Sequence, residues 1–357
     1  MKLAIIITDI TGNGGIERTS TLIANTFYSH GNDVSIVSLF RKNLNLCFPI
    51  NPGIKIIYSS EDSYSFADSI LKKIKVLFST RKKLKNILQQ NDFDEILCQA
   101  FLPSFLCATL GYLSNITACE HFKYELYGKI GTLIRNNIYK RCKHVITLTK
   151  KDSIKFFSQG VKNSVIPNML TFPVYKNIGH REKTIVAAGR LSKQKGFDLL
   201  IKAMQPIVRR YPDWHLNIYG AGECERDLKE LLLKLNLSDN VHLKGFNSKI
   251  SEVFRVSSFF VLSSRFEGFP MILLEAASQN LPCISFDCPE GPAEILKNGA
   301  GLIVEKENIS ELSKAILKFI EDPLLRENCA KQALINILEY SPEKIYNKWL
   351  SVFSNEQ

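Results

Sequence analysis

Two glutamates eight residues apart, Glu267 and Glu275, bracket the stretch Gly268-Phe269-Pro270-Met271-Ile272. The run Phe259-Phe260-Val261-Leu262 before them is apolar on consecutive positions, as in a parallel strand covered on both faces. Gly268 and Pro270 punctuate its exit, Pro270 suits a first helical turn, and Met271, Ile272, Leu274 and Ala277 supply a buried helix face. Unpaired N–H groups at such a helix start, with the macrodipole behind them, favour an anion such as a diphosphate. Glu267 precedes the helix and Glu275 lies roughly 7.5 Å along its axis. Carboxylates at both ends of an anion site suit hydroxyl groups on both sides of a diphosphate, a sugar at one end and a ribose at the other. That arrangement describes a nucleotide-sugar, although on spacing alone the pair would be an ordinary solvated loop and helix surface.

Other segments place similar chemistry at strand ends. Thr184–Ala188 reads as a strand, and Gly189-Arg190-Leu191-Ser192-Lys193-Gln194-Lys195 follows it with cations suited to a diphosphate whose charge grows as it leaves. Gly220 and Gly222 form a turn after the strand Leu216–Tyr219, and Phe246 ends the strand beginning at Val241, beside the expected nucleobase. Near the start, residues 3–7 form a strand and Gly14-Gly15 a possible phosphate cradle before an amphipathic helix. The spacing is not G-x-G-x-x-G, and Asp33 precedes the second strand instead of ending it, so a dinucleotide reading loses support. His121, within Glu120-His121-Phe122, stands at the carboxyl end of a strand, where open α/β sheets place ligands. Asp92-Phe93-Asp94 imitates a D-x-D metal motif, but it precedes a strand and reads as a surface turn. The chain shows no convincing metal cluster, so neither a metal nor a cofactor is expected.

These residues need a scaffold, and alternating strand and helix patterns supply one. At 357 residues the chain suits two domains, 1–168 and 184–341, joined by a linker over 169–183 that contains Pro173, Asn177 and Gly179. Ser341-Pro342-Glu343 opens a last helix, about 342–357. Residues 1–170 hold 22 basic and 12 acidic residues, the remainder 24 and 23. A lopsided basic half suggests a polyanionic surface as partner. Two helices, 68–91 with Lys72, Lys73, Lys75, Arg81, Lys82, Lys83 and Lys85, and 127–143 with Lys129, Arg135, Lys140, Arg141 and Lys143, combine cations with apolar faces and suit anionic lipid. No nucleic-acid recognition module is visible. Nine cysteines without a C-x-x-C pair read as reduced core thiols in a cytosolic protein, and no apolar run reaches the length of a membrane span.

With Arg265, Gly268, Phe269 and Pro270 in place, the stretch around the two glutamates resembles the E-x7-E signature of retaining family 4 glycosyltransferases. The resemblance continues through Ser285-Phe286-Asp287-Cys288-Pro289-Glu290-Gly291-Pro292-Ala293-Glu294-Ile295, a tail frequent in members that build bacterial surface polysaccharides, and through Gly189-Arg190-Leu191 with Lys195-Gly196. It implies the GT-B architecture: two Rossmann-like, doubly wound parallel-sheet α/β domains facing a cleft, with the last helix crossing back onto the first. It assigns Glu267 and His121 to the donor sugar, Glu275 to the ribose and Arg190 with Lys195 to the diphosphate. It also assigns the backbone of Gly268 to Ile272 to phosphate, Gly14 and Gly15 to the ground beneath donor phosphate and acceptor, and Gly220 and Gly222 to the nucleotide side. The implied reaction moves a hexose or N-acetylhexosamine from a nucleotide-sugar, a UDP-sugar by expectation, to a polyprenyl-diphosphate-linked or other glycan acceptor, without metal. The reduced thiols suggest the cytoplasm, and the basic first half a possible peripheral contact with the inner face of the membrane. A nucleotide-binding module without catalysis and a nucleotide-sugar 2-epimerase are the alternatives.

Overall fold

The computed structural model describes residues 1–61, 70–122, 124–177, 181–288 and 291–354, with backbone alone over 70–74. Residues 68 and 69 of the predicted basic helix, the side chains of Lys72 and Lys73, Gly179, Pro289, Glu290 and residues 355–357 lie outside the described residues.

The chain divides into two compact units, Met1–Met169 with Pro342–Gln357, and Leu170–Ser341. In the first, strands β1 (Lys2–Asp9), β2 (Asp33–Phe40), β3 (Lys55–Tyr58), β4 (Glu95–Gln99), β5 (Ile116–Glu120), β6 (His144–Thr147) and β7 (Asn163–Val165) form one sheet. Its order is β3-β2-β1-β4-β5-β6-β7, parallel throughout. In β1 the unbroken apolar run is divided between two cores: Ala4 and Ile6 join one, Leu3, Ile5 and Ile7 the other. Alternate side chains point to opposite faces of a strand, so a central strand covered on both sides must be apolar at every position. The helix Pro342–Ser354 covers the second of these cores with Ile345, Tyr346 and Trp349, and Tyr346 meets Phe27 edge-on at 4.9 Å.

In the second unit β8 (Thr184–Ala188), β9 (His215–Tyr219), β10 (Val241–Gly245), β11 (Phe259–Leu262), β12 (Cys283–Phe286) and β13 (Leu302–Val304) make a parallel sheet ordered β10-β9-β8-β11-β12-β13. Both units are thus doubly wound, the α/β architecture of the GT-B fold. The strand order reverses between β1 and β4 in one and between β8 and β11 in the other, the points where such sheets open a crevice at their carboxyl ends. The stretch predicted as a linker runs along the second unit: Tyr175 N donates to Ser278 O at 2.8 Å, and the Arg181 guanidinium donates to Ser257 O and Asn280 O.

One helix departs from the sequence reading. Within 127–143 the helix proper is Gly128–Tyr139, and Arg135, expected on a lipid-facing side, is fully buried. Its guanidinium lies 3.3 Å from Glu120 Oε2, donates to Tyr124 O at 2.9 Å, and stacks over the rings of Tyr124 and Phe156 at 4.7 and 4.6 Å. An aromatic nest with a carboxylate at its end is a better home for a weakly hydrated, planar cation than for an aliphatic chain. Asn136 is buried beside it, and its amide donates to the Tyr124 hydroxyl at 2.5 Å. Removing one partner of a buried ion pair strands the other charge, so Arg135→Ala is expected to cost about 3–5 kcal/mol. Arg135→Met combined with Glu120→Gln should cost clearly less than the single change; urea unfolding of the three proteins measures the difference.

Candidate functional site

Three loops meet at the carboxyl end of the second sheet because glycines let their backbones touch. A Cβ on Gly196 would lie 2.1 Å from Ser263 O, one on Gly220 1.8 Å from Gly189 O, and one on Gly222 2.5 Å from Leu191 O. Gly196 also adopts φ +63°, where side chains are disfavoured. Backbone hydrogen bonds close the contacts: Gly189 N to Tyr219 O at 2.9 Å, Leu191 N to Ala221 O at 3.0 Å, and Arg265 N to Gln194 O at 2.8 Å. For Gly220 and Gly222 the observed work is this close approach.

Within that frame the predicted residues separate into groups. Lys195 Nζ donates to Glu267 Oε1 at 2.7 Å, and the Ser264 hydroxyl donates to the same oxygen at 2.5 Å. Ser263 Oγ donates to Lys195 O at 2.9 Å, tying one loop to the other behind the pair. Glu267 is buried and Lys195 half-buried, whereas Arg190 stands exposed on the same loop. Cys288 is buried nearby: burial first, and then the Glu267 charge, push its thiol up to about 12, with Lys195 pulling the other way. Glu275 is buried in the helix Met271–Ser278 and its Oε1 accepts from Thr171 Oγ1 at 3.1 Å.

The helix start differs from expectation. Pro270 precedes the first helical residue with a non-helical ψ of 79°, and Met271 N donates to Phe269 O at 2.9 Å. That corrects the view of Met271 N–H as open toward an anion: a tight turn uses it. Ile272 is half-buried, Phe269 packs on Tyr340 at 5.7 Å, and the ring of Pro270 lies where a Cβ of Gly291 would be, 2.4 Å away. Phe246, just past β10, is 78% exposed.

Sequence reasoning missed the frame around these groups. Arg265 forks onto Asp198 through bonds of 2.9 and 2.8 Å and donates to Lys193 O at 2.7 Å. Partial burial pushes the Asp198 carboxyl up, but the Arg265 bonds and charge outweigh it and hold it below the usual carboxylate range. A cation, a Gly and an acid lie within four residues at Lys195-Gly196-Phe197-Asp198, and an Arg two before Glu267 is the signal that could have paired them.

In the first unit Gly14 and Gly15 open the helix Gly15–Ser29; a Cβ on Gly15 would meet open space, one on Gly14 would lie 2.6 Å from Glu17 Oε2. His121, past the end of β5, lines a pocket of about 290 Å³, open solvent included, with Thr19, Gln99, Asn168 and Trp349. Its Nε2 lies 2.6 Å from Gln99 Oε1, so the ring donates there and Nδ1 is its acceptor. Gln99, at the end of β4, was invisible in the sequence reading; a polar residue closing a buried strand at a switch point is the signal. Burial lowers the His121 pKa to about 4. Next to it, burial pushes the Glu120 carboxyl up to about 7 against the pull of Arg135, the Phe122 N–H and the Tyr139 hydroxyl.

The second unit thus gathers an ion pair, a second cation and a buried carboxylate at a doubly wound switch point, the setting of a nucleotide-handling transferase. Residues 172–334 match the family described as glycosyl transferases group 1, so the chain carries a domain of that family. An uncharacterized glycosyltransferase of Haemophilus influenzae is 29% identical over 98% of this chain and 99% of its own. The amylovoran biosynthesis glycosyltransferase AmsD of Erwinia amylovora is 28% identical over 99% of both. Among solved structures, a mutant of S. aureus TarM in complex with fondaparinux, alpha-GlcNAc-glycerol and UDP superposes with a TM-score of 0.83 at 16% identity, covering 99% of this chain and 100% of that one. The likeness to TarM is one of fold.

Gly196→Ala is expected to lower stability by about 2 kcal/mol, read as a shift of the denaturant midpoint. The neighbours Glu120 and His121 are expected to give opposite pH slopes. The raised Glu120 value contributes stability that is full below pH 4.5 and lost as pH rises through about 7. The lowered His121 value contributes stability that is full above pH 6.5 and lost as pH falls through about 4. Between pH 4.5 and 6.5, Glu120→Gln should therefore leave a stability that rises with pH, and His121→Gln one that falls, in melts across that range.

Proposed function

We propose that this protein is a glycosyltransferase that moves a hexose or N-acetylhexosamine from a UDP-sugar to a hydroxyl of a polyprenyl-diphosphate-linked or other glycan acceptor, with retention at the anomeric carbon and without metal. The setting is surface-polysaccharide synthesis at the cytoplasmic face of the membrane. The observation that carries the reading is the Lys195–Glu267 pair at one switch point, where the loops after β8 and β11 touch, with Arg190 exposed on the first of these loops. The name of the Erwinia relative supports the pathway, and the UDP in the TarM complex supports the base.

Each residue then has a distinct task. Lys195 and Glu267 form a nearly neutral pair while they bond to each other, so neither is a strong anion trap alone. A sugar hydroxyl donating to Glu267 takes over part of its acceptor capacity, and Lys195 turns toward the diphosphate oxygens as their charge grows. Arg190 adds the exposed cation, and the N–H groups of Gly268, Phe269 and Ile272 add dipoles. Catalysis is then positioning plus stabilisation of the leaving group, the interactions that strengthen as the C1–O bond breaks. Glu275 holds the ribose, and His121, neutral at physiological pH, is a second proposed contact for the sugar. Gly15, where a side chain would meet open space, leaves room for substrate phosphate beside Gly14, whose own side is filled by Glu17; Gly220 and Gly222 set the nucleotide side, and Phe246 offers a face to the base.

Turnover with a panel of UDP-sugars and a polyprenyl-diphosphate-linked acceptor tests the reading. Lys195→Ala and Glu267→Ala should each lower kcat about 100–1,000-fold, Glu275→Ala should mainly raise KM, and EDTA should change nothing. Wild-type rates in all three variants would remove the site assignment. Sugar products released without acceptor would favour epimerisation, and loss of activity with EDTA would overturn metal independence.

A further inference from the structure

The helix Gly128–Tyr139 is built inside out. Its protein-facing side holds Arg135, Asn136 and Tyr139, all buried, while Ile130, Leu133 and Ile134 are 78%, 63% and 47% exposed. Leu126, in the preceding turn, is 47% exposed and continues the stripe at a spacing of four residues with Ile130 and Ile134. In water a surface helix buries its branched aliphatics and exposes its cation; here the sequence does the reverse, and the buried cation is locked by Glu120 and four aromatic rings. Turning the helix to hide the aliphatics would expel Arg135 from that nest, so the apolar stripe is held outward by the fold itself.

The charges around the stripe say what covers it. Lys129, Lys140 and Arg141 are exposed along the same helix and its end. The one exposed acid described within residues 121–143, Glu125, is held by Lys155 Nζ at 2.6 Å. A second copy docking by this patch would bring the same cations face to face across an isologous interface, a like-charge arrangement. An anionic lipid surface meets both features at once, headgroups for the cations and acyl chains for the isoleucines and leucines. Among the described residues no helix is long and apolar enough to cross a membrane, so this contact lies in the interface plane.

We propose that the Leu126–Ile134 stripe with Lys129, Lys140 and Arg141 is a docking face for an anionic bilayer, independent of the transfer reaction assigned above. The predicted basic helix, Ile70–Gln90 in the structure, is not needed for it. Flotation of the full chain with vesicles of phosphatidylcholine, with and without phosphatidylglycerol, tests this. The wild-type protein should float with the anionic vesicles, less at high salt, and remain behind with the neutral ones. Ile130→Ser/Leu133→Ser/Ile134→Ser should reduce binding about tenfold or more, and Lys129→Glu/Lys140→Glu/Arg141→Glu should do the same. Leu324→Ser, an equally exposed leucine of the other unit, should bind as wild type. All replaced residues are exposed, so unchanged melting temperatures confirm that folding is not the cause. Wild-type flotation by either triple variant, failure of the wild type to float, or a lipid-free dimer that the serine variant dissolves would overturn the proposal, the last in favour of a second copy. Because turnover on a soluble acceptor does not require the bilayer, the variants should keep it; loss of vesicle binding with turnover intact separates this face from the catalytic assignment.

Discussion

Everything proposed for the second unit rests on backbone approaching backbone without an intervening Cβ. Ser263 O occupies the place where a side chain on Gly196 would begin, and Gly189 O stands likewise against Gly220. Parallel strands end in loops that normally fan outward from the sheet; here the loops after β8, β9 and β11 are pressed together. A polar side chain on one can then reach a carboxylate on another. The 2.7 Å bond between Lys195 and Glu267 is a consequence of that crowding, since the two residues are 72 positions apart.

Crowding also sets the electrostatics. Glu267 and Glu275 are both buried, and a buried carboxylate is tolerable only with partners. Glu267 has a lysine and a serine, Glu275 a threonine from the segment entering the unit. The same rule acts around Glu120 and His121, where burial favours the uncharged form of each. Charges in a buried setting interact more strongly than in bulk water, so an incoming anion is felt by such a site at close range.

How much of this was legible in the sequence depended on whether a local rule or a distant partner decided the outcome. Unbroken apolar runs such as Leu3–Ile7 and Phe259–Leu262 announced central parallel strands, because burial on both faces leaves no other composition. The loops after β8 and β11 were legible through glycines and cations at strand ends. The tight turn at Met271 was not, since a single N–H bond to Phe269 O separates an open helix start from a closed one. Arg135 was misplaced for a clear reason: periodicity assigns a cation to the solvent side of a helix, and nothing local to 128–139 reveals that Glu120, Tyr124 and Phe156 surround it. Gln99 was missed because its importance comes from His121, twenty-two positions later.

The inverted helix also limits how this chain can change length. Each residue of an α-helix turns about 100°, so inserting or deleting one residue between Ile130 and Arg135 would rotate the aliphatic stripe toward the aromatic nest and swing the guanidinium outward. Point substitutions on the outer face leave the interior undisturbed, whereas a single codon gained or lost there offsets the two faces by about 100° against each other. Divergence in this segment is therefore channelled into side-chain replacement, and its register is as tightly held as that of any buried strand.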